Sequence, residues 1–220
     1  MEKKIDEWSY AVKQAGCIIK SIDLLNEIRK KDGSLLFALI DAKVESPEGT
    51  MLPNIVFIRG HASVIVPRIE NAATGEQLFL MVRQRRIGSG SYSLEFPAGM
   101  LDEHSEFPAL IAAKELSEET TLQLSSDILF PLHDKMLYSS VGGSDEGIYY
   151  FGCIVKVSDA QFRGFHKRSA GNADENEQIS IELVTRVAAE IECCCMQVPL
   201  GFYLFDKYVK EHGETAYIIS

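Results

Sequence analysis

Long apolar runs, dense basic runs and metal-binding cysteine pairs are all missing from this 220-residue chain. The longest apolar stretches fall far short of the roughly 20 residues a membrane-crossing helix needs, so no membrane partner is expected. Met1 to Trp8 hold no apolar signal core, and secretion is not expected either. The formal net charge is −10, and no cluster of Lys and Arg reaches the density that a polyanion demands. Nucleic acid is therefore not an expected partner. The five cysteines are Cys17, Cys153, Cys193, Cys194 and Cys195, an odd count with three in a row. They show neither CxxC spacing nor a pairing with His, and consecutive cysteines do not make a disulfide framework. A reducing, cytoplasmic setting suits them. The consecutive three read either as a redox switch or, more plainly, as small buried hydrophobes.

What is present is ordinary for a globular protein. Hydrophobic residues make up 46% and charged residues 25%, enough for a sizeable core without staples. The length allows one large domain, or one domain with a small appendage. Residues 5–14 read as a short helix. The turn Lys31-Asp32-Gly33 separates two mixed runs, and Ser34 to Val44 and Asn54 to Ile58 read as strands. Residues 1–57 thus form a β-rich segment with one helix, and 58–220 form the main domain. There, His61–Val66, Gln77–Arg83, Tyr92–Phe96, Gly147–Val157 and Ile179–Val184 read as strands. Ile128–His133 and Lys135–Tyr138 read as extended. Residues 107–120, Val187–Cys195 and Pro199–His212 read as helices, and polar Ala170–Glu177 as a mobile loop. Leu200, Phe202, Leu204, Phe205 and Val209 read as core, and His61 packs in or beside it. There is no internal repeat. A mixed sheet between helices, an α/β/α sandwich, fits this order.

One helix carries unusual chemistry. At 3.6 residues per turn, Glu115, Glu118 and Glu119 crowd one arc. Their mutual repulsion weakens the bare helix, and a divalent cation that prefers oxygen would relieve it. The plain reading is a solvated acidic face beside a core stripe of Ala109, Ala112, Ala113 and Leu116.

The surrounding residues sharpen the choice. Gly99 is followed by Glu106 and, after 107–113, by Lys114-Glu115-Leu116-Ser117-Glu118-Glu119-Thr120-Thr121-Leu122. This resembles the Nudix box, with three departures. Six residues rather than five separate Gly99 from Glu106, Lys114 stands for Arg, and Thr121 stands for the second Gly. Lys keeps the charge but loses the planar fork. Thr121 matters if that backbone needs positive φ. Arg83-Gln84-Arg85-Arg86, Leu94-Glu95-Phe96-Pro97-Ala98-Gly99 and Ser139-Ser140-Val141-Gly142-Gly143-Ser144-Asp145-Glu146 extend the likeness. Together these resemble the ADP-sugar diphosphatase branch of the Nudix superfamily, over residues 34 to 185. Val141 replaces the proline usual there.

The resemblance implies a Nudix α/β/α sandwich with a mixed sheet, and an N-terminal β-rich segment that builds a homodimer. It implies hydrolysis of ADP-ribose or ADP-glucose to AMP and a sugar phosphate. The cofactor would be Mg2+, or Mn2+, held by Glu115, Glu119, Glu118 and the Ala98 carbonyl. Bound metal would also reconcile an acidic chain with an anionic substrate. Glu146, on a glycine-containing loop able to swing, matches the general base or the residue that places the attacking water, with Glu118 beside the chemistry. Arg86 matches the phosphate contact, and strand alternation would put it opposite Arg85. Glu95 lies near substrate or metals, or else forms a strand-end salt bridge. Gly143 falls on the substrate loop, and Glu177 on a later one. Trp8, the single tryptophan, either stacks on adenine or packs in the core. Two other readings stand beside this one: a diphosphatase for another nucleotide sugar such as UDP-glucose, and a weakly active nucleotide-sugar-binding domain.

Overall fold

Ile5, Trp8 and Val12 recur on one face of α1 (Lys3–Gln14), and that face is apolar because a sheet lies under it. The computed structural model describes residues 2–101, 107–120, 122, 124–165, 168–170 and 179–219, without the side chains of Glu119 and 168–170. After α1 come β1 (Ile18–Arg29), β2 (Leu35–Glu45), β3 (Ile55–Ile58), β4 (Ala62–Asn71), β5 (Gln77–Arg85), β6 (Tyr92–Glu95) and β7 (Ala98–Met100). Next are α2 (Pro108–Thr120), a 3-10 turn (Ser126–Ile128), β8 (Phe130–Pro131), β9 (Leu137–Tyr138) and β10 (Gly147–Val157). The chain ends with α3 (Asp159–Gly164), β11 (Arg168–Ala170), β12 (Ile179–Val184), α4 (Arg186–Glu192), α5 (Gln197–His212) and β13 (Tyr217–Ile218). Two units divide it. One is Met1–Ala62 with Leu137–Ile148; the other is Ser63–Met136 with Tyr149–Ser220.

In the first unit, β1, β2 and β3 form an antiparallel sheet in that order. Ala38, Ile40, Ala42 and Val44 alternate inward along β2 and join Ile5, Leu35 and Ile58 in a buried cluster. Each side chain buried there contributes up to about 1.5–3 kcal/mol if it is Ile, Leu or Val. Trp8 packs against this cluster. Lys4 is buried too, and its ammonium donates to the carbonyls of Leu36 (2.7 Å) and Arg59 (3.0 Å). On the opposite sheet face, Ile28, Leu39, Ile55 and Phe57 stay exposed. The strand β9 pairs with the first two residues of β10.

In the second unit the strand order is β11-β12-β5-β4-β10-β13, with β6 on β5, β7 on β4 and β8 on β10. The β10–β13 pair is parallel and the β4–β5, β5–β12 and β11–β12 pairs are antiparallel, so the sheet is mixed. Alternation assigns its two faces. Ile65 and Leu80 join Ala112, Ala113 and Leu116 of α2 in one apolar cluster. Their chain neighbours point the other way, toward α5: Phe79 meets Phe202 edge-on at 4.8 Å, and a side chain at Gly201 would strike Phe96 and crowd Val66. Helices on both faces of a mixed sheet make the α/β/α arrangement that the sequence predicts.

Several boundaries differ from expectation. The run 18–29, left unassigned by the sequence reading, is a 12-residue strand. Helix α4 stops at Glu192, where Cys193 turns extended, so Cys193 and Cys194 are not helical and Cys195 also lies outside α4. Nor are these three buried hydrophobes: Cys194 is exposed and the other two are half-buried. Of residues 128–138, read as extended, Ile128 ends a 3-10 turn and only Phe130–Pro131 and Leu137–Tyr138 are strands. Phe202, Leu204 and Phe205 are core as expected, with Leu200 and Val209 half-buried. Residues 171–178, including Glu177 and most of the expected mobile loop, lie outside the described residues.

Candidate active site

Helix α2 begins at Pro108, a residue whose fixed φ suits a first turn, and ends at Thr120, whose hydroxyl donates back to the Leu116 carbonyl. Its inner stripe of Ala112, Ala113 and Leu116 is buried, with Glu115 and Glu118 beside that stripe. Glu118 is exposed and faces Lys114 across one turn, 3.7 Å away. Glu115 is half-buried. It lies against β7, where a β-carbon added at Gly99 would overlap its side chain. Gly99 is not among the positive-φ glycines, so close approach rather than backbone conformation requires it. That approach sets Glu115 beside the backbone that also carries Ala98. Glu119 continues the helix, with its side chain outside the described residues, as are Glu106 and Thr121 altogether.

The second cluster sits at the end of the β5–β6 hairpin. Arg86 is one residue beyond β5, so strand alternation does not set its direction as the sequence reading assumed. Its guanidinium grips Glu95 through Nε (3.1 and 3.2 Å) and Nη2 (2.8 Å). Glu95 is the better buried partner, its side chain 13% exposed against 44% for Arg86. Arg83 and Arg85 are committed elsewhere. Arg83 joins Glu182 (2.7 Å) and Glu192 (2.5 Å), which raise its already high pKa, and Arg85 lies over Tyr92. The Cys195 thiol is pushed up mainly by burial and then by the nearby Glu95 carboxylate.

The third cluster belongs to the first unit, and it is not the free loop that the sequence suggests. Phe57 of β3 donates its N–H to the Gly143 carbonyl at 2.8 Å, and Asp145 N–H returns to the Phe57 carbonyl at 3.3 Å. The Asp145 carboxylate is buried and accepts from the backbone N–H of Arg59 (2.6 Å) and Gly60 (3.1 Å). Gly147 N–H donates to His61 Nδ1 at 3.2 Å, which places His61 beside the loop. Glu146 has both carboxylate oxygens engaged. Ser139 Oγ donates to Oε2 at 2.5 Å, and Arg59 Nε stands 2.8 Å from Oε1. The latter is an ion pair without hydrogen-bond alignment, because that buried Nε has no hydrogen-bond partner. The sequence reading missed Arg59, Ser139 and Asp145 as site residues. Ser139 and Asp145 both stand in the loop motif, but nothing local gives either of them, or Arg59, a role at the site.

The donors on α2 and at Ala98 are all oxygen, which suits a hard cation such as Mg2+ rather than a soft one. Among the described residues, no three His, Cys, Asp or Glu side chains converge on one point.

No protein-family model matches the chain. A curated relative, Nudix hydrolase 14, chloroplastic, from Arabidopsis thaliana, is 29% identical over 143 residues, covering 62% of this chain and 46% of the relative. The chain therefore spans about half the length of that relative. Among solved structures, the crystal structure of ADP compounds hydrolase matches with a TM-score of 0.62 at 17% identity, covering 90% of this chain and 97% of the other. The fold is thus similar to that of the ADP compounds hydrolase, and over those 143 residues the sequence is similar to that of a Nudix hydrolase.

Proposed function

We propose that this chain is a Nudix-type hydrolase and cleaves the diphosphate of an ADP-sugar, a reading that its fold and its relative support. ADP-ribose or ADP-glucose would give AMP and a sugar phosphate. The observation that carries the reading is Glu115 seated against Gly99 on a helix that also bears Glu118 and Glu119. This spends backbone space on fixing one carboxylate, which a merely solvated acidic face does not need.

Glu115, Glu119, Glu118 and the Ala98 carbonyl would hold Mg2+ or Mn2+. Such an ion, when bound, neutralises phosphate charge and acidifies a water. Arg86 would contact a phosphate oxygen, with Glu95 holding the guanidinium in place until substrate arrives. Gly143 would lie along the substrate, its missing side chain leaving room: a β-carbon there meets nothing within 4 Å. Glu146 would take the proton of the attacking water or aim that water at phosphorus.

The exposed Ile28, Leu39, Ile55 and Phe57 support a homodimer built by the N-terminal segment, since contiguous apolar surface of this kind favours a partner. All five cysteines are free thiols, which supports a reducing compartment, the cytoplasm in this reading.

The test is AMP release from ADP-ribose and ADP-glucose with Mg2+, beside UDP-glucose and the Glu119→Gln variant. Metal-dependent release of AMP that the substitution abolishes is expected. Faster turnover of UDP-glucose would move the substrate class. Tight nucleotide-sugar binding without turnover of any of the three would replace hydrolysis by binding.

A further inference from the structure

Ser139 and Glu146 face each other across the mouth of the 140–145 loop. The Ser139 N–H donates to the Glu146 carbonyl at 3.0 Å, continuing the β9–β10 ladder by one pair. Within the loop, the Ser140 carbonyl accepts from Gly143 N–H (3.2 Å) and Ser144 N–H (3.0 Å), and Ser144 Oγ accepts from Glu146 N–H (3.2 Å). The backbone of Glu146 is thereby held on both sides. These bonds leave its side chain, with three rotatable bonds, to be placed by other contacts.

The Ser139 hydroxyl removes that freedom. It donates to Oε2 at 2.5 Å, a short bond of the kind formed between a hydroxyl and an ionised carboxylate. The Glu146 side chain is 14% exposed, so water competes poorly for the same oxygen. Among the described residues, Oε1 has no such donor. Its neighbour, Arg59 Nε at 2.8 Å, supplies charge without hydrogen-bond alignment, so Oε1 is held by an ion pair rather than a hydrogen bond.

We propose that Ser139 is a positioning residue: by tying down Oε2 it presents Oε1 of Glu146 to the attacking water. The inference rests on the reading of Glu146 as the base or water-placing residue. It adds a residue which acts only through Glu146, and that relation is measurable.

The experiment compares kcat and KM for hydrolysis of ADP-ribose with Mg2+ by the wild type, Ser139→Ala, Ser139→Thr, Glu146→Gln and the Ser139→Ala/Glu146→Gln double variant. Ser139→Ala is expected to lower kcat about tenfold with KM nearly unchanged, as loss of one hydrogen bond to a charged group would. Ser139→Thr keeps the hydroxyl and restores most of the rate. The double variant is no slower than Glu146→Gln alone, because once the carboxylate is gone Ser139 has nothing to place. A wild-type kcat in Ser139→Ala, or losses that multiply in the double variant, overturns the role of Ser139 while leaving Glu146 in place. Full activity of Glu146→Gln, or a wild type that releases no AMP, overturns the underlying reading and the inference with it. Equal melting temperatures across the set show that folding is not the cause.

Discussion

The α-carbon of Gly99 in β7 lies against the side chain of Glu115 in α2, with no room between them for a β-carbon. The pairing joins the two ends of the acidic motif in space and explains a glycine whose φ is unremarkable. Gly99→Ala is expected to push Glu115 off its seat. Crowding of this kind costs about 1–3 kcal/mol. Metal-dependent turnover should fall more than stability does, since a displaced carboxylate no longer meets a cation at a fixed distance. Urea unfolding measured beside turnover checks both. A Gly99→Ala variant with wild-type midpoint and wild-type rate would show that the contact constrains nothing.

Arg68 and Glu214 offer a test in pH. The Arg68 side chain is 10% exposed, and its guanidinium meets the Glu214 carboxylate at 2.6 and 2.8 Å, the shorter contact lacking hydrogen-bond alignment. The hydrogen bond from Arg68, then its charge, lowers the Glu214 pKa below the ordinary 4.5. A carboxyl with a lowered folded-state pKa stabilises the fold above its unfolded pKa, and that stability is lost as pH falls through the folded value. Glu214→Gln should therefore destabilise the protein at neutral pH. The cost is about 1–2 kcal/mol, less than for a wholly buried pair because Glu214 is 48% exposed. The gap in melting temperature between wild type and variant should close as pH drops below about 4. A gap that stays constant down to pH 3 would assign the effect to packing rather than to charge.

How much of this was legible in the sequence depends on the range of the interaction. The strands Gly147–Val157 and Ile179–Val184 are found with the bounds read from their apolar runs. The α2 stripe is likewise local, and it is buried as its spacing requires. Strand β1 escaped because register shifts at Ile19/Ser21, Leu24/Asn26 and Ile28/Arg29 break the two-residue period that would have revealed it. Helix α3 was readable and was missed: Ser158 and Gln161 form a capping box, a four-residue signal. The acidic motif announced its helix, but not that Gly99 would receive Glu115. The clasp on the Glu146 loop was out of reach altogether, since Arg59 and Asp145 are 86 residues apart. Only the fold brings them together.

Cysteine reactivity separates the buried Cys153 thiol from the exposed Cys194. Cys153 is wholly buried in β10, and burial pushes its pKa up to about 12. Thiolate is the reactive form, so at neutral pH the native protein presents almost none of it at this position. Iodoacetamide should modify exposed Cys194 within minutes and leave Cys153 unmodified until the second unit opens. Mass spectrometry after timed labelling, with and without denaturant, reads the two sites separately. Labelling of Cys153 in the native protein at the pace of Cys194 would mean that the core of β10 opens readily.

Asp145 supplies the strongest single test of the first unit. The residue is 7% exposed, its carboxylate takes the N–H groups of Arg59 and Gly60, and Gly60 turns there with φ near 82°. Those two donors are backbone, so no substitution at Asp145 can remove them. Asp145→Ala leaves both facing a space with no acceptor, and unpaired buried donors cost about 1–3 kcal/mol each. The expected loss is about 2–4 kcal/mol once partial access of water is allowed for. Asp145→Asn keeps one acceptor oxygen and should lose about half as much. The loss should also be local at first: amide exchange at Arg59 and Gly60 should speed up before that of β1 or β2, because the clasp joins residues 57–60 to the 140–145 loop. If Asn and Ala are equally mild in urea unfolding, and the Arg59 and Gly60 amides stay protected, then other contacts hold the loop. Ser139 and Arg59 would then carry the placement of Glu146 without help from the clasp.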